Sequence, residues 1–227
     1  MPNEKTDSTN EILLILCKTV QRILTKASAK EIRFSPLVQR INKTCLKPDI
    51  GCFTVFDGGV SGLLIMNFSA EAALDIYRSY MLNMGMPEEE LSILHTSDDV
   101  ANVLGELMNQ TMGHFQTDLR HELHVSINQN QPKMLVINKD IHISIDTQID
   151  NPQYRRVSFE TENHRPFYLE LGIEETIFEP LFPFEKEKHE DIEEILTQAR
   201  EKQEREKNSQ NSTHDEADDD FMNKLGL

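Results

Sequence analysis

An α+β fold, with long helices laid on a largely antiparallel sheet, is what the sequence predicts. Three observations carry the prediction. Before residue 185, helical periodicity is confined to three long stretches. Short runs rich in β-branched and aromatic residues fill the space between and after them. No β–α–β alternation runs through the chain, which argues against a doubly wound parallel sheet.

Taken in order, residues 1–8 form a polar lead-in, expected to be disordered. Ser8 and Glu11 make a capping-box pattern. Leu13, Leu16, Cys17, Val20, Leu24 and Ala27 then recur at helical spacing, so a first helix should run to about residue 28. From about 31 to 68 the texture is β: "EIRFS", "LVQRINKTCL", "GCFTVFD" and "VSGLLIMNFS", broken by Pro36, Pro48, Gly58, Gly59 and Gly62. "DGGVSG" lacks the GK[ST] ending of a phosphate loop and reads as a hairpin turn. "SAEAALDIYRSYMLNMG" is a second helix, capped by Ser69 or Asn67 and ended by Gly85. "PEEEL" opens a short connecting turn or helix. Thr96 or Ser97 caps a third, long helix to about residue 122. Strands then return as "LHVSIN", "KMLVINK", "IHISIDTQ", "YRRVSFETE" and "FYLELGIEE", with "ENHR" as a hairpin turn.

The folded domain is expected to span 9–184. Residues 185–207 read as a charged helix, 208–217 as a flexible linker and 218–227 as a partner-binding motif. Residues 185–227 hold 14 acids against 7 bases, so −7 of the −16 net charge falls there. The last ten residues, "DDDFMNKLGL", put apolar side chains back after a run of acids, which a solubilising tail has no need of. They look like an apolar anchor on a tether.

The net charge of −16 disfavours nucleic acid, whose phosphates call for a basic surface, and equally an anionic membrane. No basic segment followed by an apolar one opens the chain, so no signal peptide is expected, and the longest apolar runs are far too short for a bilayer. The expected location is cytoplasmic. Cys17, Cys45 and Cys52 have no CxxC spacing and should be reduced, partly buried thiols. His114, His121, Glu122 and His124 gather near the end of the third helix without a zinc-ligand spacing. Asp218–Asp220 lack the pattern of a calcium loop. No metal of its own is expected for the chain.

The informative segment is "GELMNQTMG", 105–113. On a helical wheel Val100, Leu104, Leu107, Met108, Met112, Phe115 and Leu119 share one sector. Glu106, Asn109 and Gly113 fall together on the opposite side, flanked by Asn102 and Gln110. A carboxylate and a carboxamide three residues apart project side by side, about 5–6 Å apart at Cβ. Gly113 leaves bare backbone beside them. The bland alternative is an ordinary solvated face. No Ser–His–Asp or Cys–His arrangement is evident, so any chemistry here is the orienting of water and charge within another molecule's site.

"LGELMNQTMGHFQTDL" resembles the signature of the CheX/CheC/FliY phosphatases of bacterial chemotaxis, a Glu-x-x-Asn followed by Gly four residues on and a later Leu. The matching residues are Glu106, Asn109, Gly113 and Leu119, and "FTVFDGGVSGLLIMNFSAEAALDIYRSYM" resembles the block that precedes the signature. Phe115 stands where the family usually has a small residue, and Gln110-Thr111 where apolar residues are common. With a single Glu-x-x-Asn, the layout is closer to CheX than to two-site CheC. "DDDFMNKLGL" is similar to the C-terminal CheY-binding peptide of CheZ, through Asp219, Asp220, Phe221, Met222, Leu225, Gly226 and Leu227.

These resemblances imply a CheX-like fold and a substrate that is the aspartyl phosphate of a CheY-like receiver, which brings its own Mg²⁺ and lysine. Glu106 would pair with that lysine, and Asn109 would hold the attacking water. The tail would bind the same receiver, and a homodimer is admitted. The competing reading is a non-catalytic receiver-binding or flagellar-switch adaptor of the same fold.

Overall fold

The side chains of Ile12, Leu13, Leu16, Val20 and Leu24 are almost wholly withdrawn from water in the first helix, α1 (Ser8–Ser28). A computed structural model describes residues 8–178, except 138 and 146. Residues buried on α1 are too many for one stripe, since Ile15 and Leu24, on opposite sides of the helix, are both buried. The helix lies between other elements, against α2 (Ala70–Asn83), α3 (Asp98–Leu123) and the sheet. The Ser8 hydroxyl accepts the Phe178 N–H at 3.0 Å, tying the start of α1 to the chain just after the last strand.

Among the described residues nine strands fall within or beside the expected runs: β1 (Ile32–Arg40), β2 (Thr44–Leu46), β3 (Ile50–Gly58), β4 (Gly62–Phe68), β5 (Ile127–Gln129), β6 (Lys133–Val136), β7 (Ile143–Ile145), β8 (Pro152–Thr161) and β9 (Pro166–Glu174). Seven form one antiparallel sheet in the order β1-β8-β9-β4-β3-β5, with β6 also paired to β3; β2 and β7 form a separate ribbon. Both expected hairpin turns are present. Gly58, at φ +125°, ends β3 at "DGGVSG", and 162–165 joins β8 to β9.

Two expectations need correcting. Pro36 does not break the first strand. It sits at a register shift between Phe34 and Val38 in an edge strand, where a missing N–H costs no ladder bond. The run 37–46 is not one strand either. β1 stops at Arg40, and Thr44–Leu46 leaves for the second layer.

Side-chain alternation divides the central strands between two cores. On β4, Leu64, Met66 and Phe68 face the helices, and on β9 Phe167, Leu169, Leu171 and Ile173 join them. Leu63 and Ile65 face the other way and pack with Leu46 of β2 and Ile137. The ribbon is fastened there by two buried side chains. Asn67 accepts the Lys47 N–H at 2.7 Å and donates to the Cys45 carbonyl at 2.9 Å. Glu170, with no exposed surface, accepts the Cys45 N–H at 2.9 Å and pairs with Arg156 at 2.7 Å and Lys47 at 3.3 Å.

All three cysteines are free thiols. Burial pushes Cys17 and Cys52 up to about 12, so neither forms a reactive thiolate at neutral pH. Cys45 is half-buried. Titration of the native protein with a thiol reagent at pH 8 should therefore label Cys45 rapidly, and Cys17 and Cys52 only on unfolding. Fast labelling of all three would contradict this packing.

Candidate functional site

The third helix begins where Ser97, in extended conformation, accepts the Val100 N–H through its side chain. Asp98 and Asp99 occupy the first turn, where the helix dipole favours acids. The helix ends at His124, whose left-handed conformation (φ 56°) closes it with N–H bonds to the Arg120 and Leu119 carbonyls. Between these caps Val100, Leu104, Leu107, Met108, Met112, Phe115 and Leu119 are each no more than 2% exposed, so the apolar sector is the one the wheel picks out. Phe115 meets the edge of Phe56 on β3, ring centroids 6.1 Å apart. Thr111 is buried as well and returns its hydroxyl to the Leu107 carbonyl at 2.8 Å.

A polar lock fixes the rotation of this helix. Asp118, only 5% exposed, accepts the Thr19 hydroxyl at 2.5 Å and the Arg22 guanidinium at 2.8 Å, both from α1. Rotating α3 by one residue would tear Asp118 from both partners and turn the apolar sector outward.

Glu106 is exposed, and Asn109 and Gly113 are half-buried. The sheet comes up beside the helix only at its earlier turn. A Cβ at Gly105 would lie 3.6 Å from the Met134 side chain, so the sheet rises beside the helix there. Gly113 has no such neighbour: a Cβ would meet nothing within 4 Å. Gln110 donates to the Glu106 carboxylate at 3.0 Å, holding it on the helix surface. The wheel places Gln110 beside the pair; that it touches Glu106 is visible only once rotamers are known. The arrangement is a carboxylate and a carboxamide on one rigid face, with an unobstructed strip of backbone beside them.

Among the described residues, no three His, Cys, Asp or Glu side chains are grouped to hold a metal ion. No helix among them is long and apolar enough to cross a membrane. The other partner-binding residues expected from sequence, Asp219, Asp220, Phe221, Met222, Leu225, Gly226 and Leu227, lie outside the described residues, as does the acidic run from Asp218.

The open space at Gly113 sets an expectation. Gly113→Leu should leave the fold intact and raise the melting temperature, because glycine costs a helix interior roughly 1 kcal/mol relative to a good helix former. If a partner sits over this face, the same change should weaken its binding. A protein with higher melting temperature and undiminished partner affinity would show that the partner docks elsewhere.

The chain belongs to the family described as protein of unknown function (DUF3334), whose model matches residues 3–227. No curated protein sequence matches it. Solved structures do share its fold. A chemotaxis protein CheX from Desulfovibrio desulfuricans is 16% identical at a TM-score of 0.60, covering 72% of this chain and 99% of that one. Thermotoga maritima FliY is 21% identical at a TM-score of 0.54, covering 78% and 93%. CheX in a CheX–CheY–BeF3–Mg²⁺ complex from Borrelia burgdorferi is 18% identical at a TM-score of 0.51, covering 72% and 97%. The fold is that of the CheX, CheC-like and FliY chemotaxis proteins, as the motif at 106–113 implies.

Proposed function

We propose that this chain is a phosphatase for the aspartyl phosphate of a CheY-like receiver protein. The observation that carries the reading is the pairing of exposed Glu106 with half-buried Asn109, beside the open backbone of Gly113 on a rotationally locked helix. The Borrelia burgdorferi structure of the same fold contains CheY, BeF3 and Mg²⁺, a combination that agrees with such a partner.

In this mechanism the receiver supplies the phosphorylated aspartate, Mg²⁺ and a lysine. Glu106 pairs with the lysine and fixes the docked orientation. The Asn109 carboxamide donates one hydrogen bond and accepts another, enough to hold a water in line with the scissile bond. Water oxygen attacks phosphorus, the bond from phosphorus to the aspartate oxygen breaks, and inorganic phosphate leaves with the aspartate carboxylate restored. The chain contributes position and charge, which is most of what phosphoryl transfer asks of a catalyst. Gly113 admits the receiver close to the helix.

The C-terminal motif, 218–227, binds the same receiver and raises its local concentration through the tether. Removing those ten residues should raise KM severalfold with kcat nearly unchanged, the signature of lost uniform binding. An equal fall in both kcat and kcat/KM would instead place the tail in the chemistry.

The reading is tested by incubating the full chain with a panel of phosphorylated receivers and following phosphate release. At least one receiver should lose phosphate markedly faster than it does alone. Binding to a receiver without faster release would favour the adaptor reading, and neither binding nor release across the panel would end the phosphatase proposal.

A further inference from the structure

We propose that the connection between α2 and α3 carries a separate docking contact for the receiver, made by Ile93 and Leu94. The inference rests on the receiver being the partner of Glu106 and Asn109. Ile93 is 75% exposed and Leu94 61% exposed, two adjacent large aliphatic side chains in water. A single exposed aliphatic residue is ordinary on a protein surface. This pair differs in being held rigidly outward.

The chain on either side is fastened. Leu91 is buried at 6% exposure. The Ser92 N–H donates at 3.2 Å to the hydroxyl of Tyr77, itself buried in the core. The Leu94 N–H donates to the Ser92 hydroxyl at 3.3 Å, and the Leu94 carbonyl accepts the Ser97 N–H at 3.1 Å. Ser97 then caps α3. With both ends tied and the tip bonded to itself, the loop has little conformational freedom left to lose on binding, which is the cost that weakens most loop contacts.

The position relative to the candidate site points to the occupant. Asp99, Asn102 and Glu106 share the exposed stripe of α3, so the loop lies at the N-terminal end of the stripe that carries Glu106 and Asn109. Asp98 to Glu106 spans eight residues, about 12 Å of helix at 1.5 Å each. A domain of ~100 residues has a radius of gyration near 13 Å. A receiver of that size seated over Glu106 is wide enough to extend past the start of the helix toward the loop. Exposed acids flank the pair, Glu88, Glu89 and Glu90 before it and Asp98 and Asp99 after it. The surface that fits is an apolar hollow rimmed by lysine or arginine, next to the phosphorylated aspartate of the receiver.

The test uses the full chain carrying Ile93→Ser and Leu94→Ser together. Binding to a beryllofluoride-activated receiver is measured by titration and sedimentation of the free chain is run alongside. Both positions are exposed, so the melting temperature should stay within about 1–2 °C of wild type. The Kd should rise about tenfold, and for a receiver that is dephosphorylated KM should rise with kcat kept. Unchanged receiver affinity in the folded double variant overturns the contact. So does a change confined to self-association of the free chain, which would assign the pair to a second copy. Failure of the wild-type chain to bind any receiver removes both this contact and the reading it rests on, a result distinct from equal binding by wild type and variant.

Discussion

Asn109→Ala should slow receiver dephosphorylation at least tenfold while leaving the melting temperature where it is, and Glu106→Ala should do the same. A tenfold loss corresponds to about 1.4 kcal/mol of transition-state stabilisation. That is a modest demand on a positioned amide, since removing one well-placed hydrogen-bond donor from an active site costs about 100- to 1,000-fold. Neither side chain belongs to the core: Glu106 is exposed, its described hydrogen bond runs to the equally exposed Gln110, and Asn109 is half-buried. Truncation therefore leaves no buried group unpaired, and stability should hold. The two variants should differ in how activity is lost. Glu106 makes the charge contact with the receiver lysine, so its removal should raise KM as well as lower kcat. Asn109 addresses only the water, so its removal should fall mainly on kcat. Two variants that dephosphorylate like wild type would remove these residues from the site.

Glu170→Ala should destabilise the protein by about 3–5 kcal/mol, the range seen when one partner of a buried ion pair is deleted. The carboxylate has no exposed surface and serves three donors: the Arg156 guanidinium at 2.7 Å, the Lys47 ammonium at 3.3 Å and the Cys45 N–H at 2.9 Å. Alanine leaves a cation stranded against the sheet and cuts the β2–β7 ribbon loose from β9. Arg156 and Lys47 keep 22% and 28% of their side-chain surface in water, so some of their charge can be resolvated, and the lower end of the range is expected. Glu170→Gln, which keeps an acceptor for Cys45, should cost less. Because Glu170 lies on the sheet face opposite the helices, activity at temperatures below the transition should survive. Equilibrium denaturation checks this, and a loss under 1 kcal/mol would mean the ribbon is held by Asn67 and its apolar contacts with Leu63 and Ile65, without help from Glu170.

The difference between what could and could not be read from the sequence follows the range of the forces involved. The buried sector of α3 is legible because its residues recur every three or four positions, and Ser97 as its cap because capping is local. The turns at 58–62 and 162–165 are legible for the same reason, through glycine and the chemistry of short polar loops. The departure of Thr44–Leu46 into a second layer is not. Its strand partner β7 lies about a hundred residues away, and its fasteners, Asn67 and Glu170, sit on other strands. Pro36 is tolerated because β1 is an edge, a property of the assembled sheet and not of the residue. The site divides similarly. That Glu106, Asn109 and Gly113 share a face follows from periodicity. That Gln110 holds Glu106, that Met134 of β6 comes up beside Gly105, and that Asp118 locks the rotation all depend on rotamers and neighbours.

The central claim, that this helix face hydrolyses a receiver's aspartyl phosphate, is tested most directly by a single-turnover experiment. A receiver labelled with radioactive phosphate on its aspartate is mixed with excess full chain and Mg²⁺, and the decay of the labelled receiver is followed. Wild type should accelerate the decay well beyond the receiver's own rate, and the Glu106→Ala, Asn109→Ala double variant should return it to that rate while remaining folded. Equal acceleration by wild type and double variant would contradict the account.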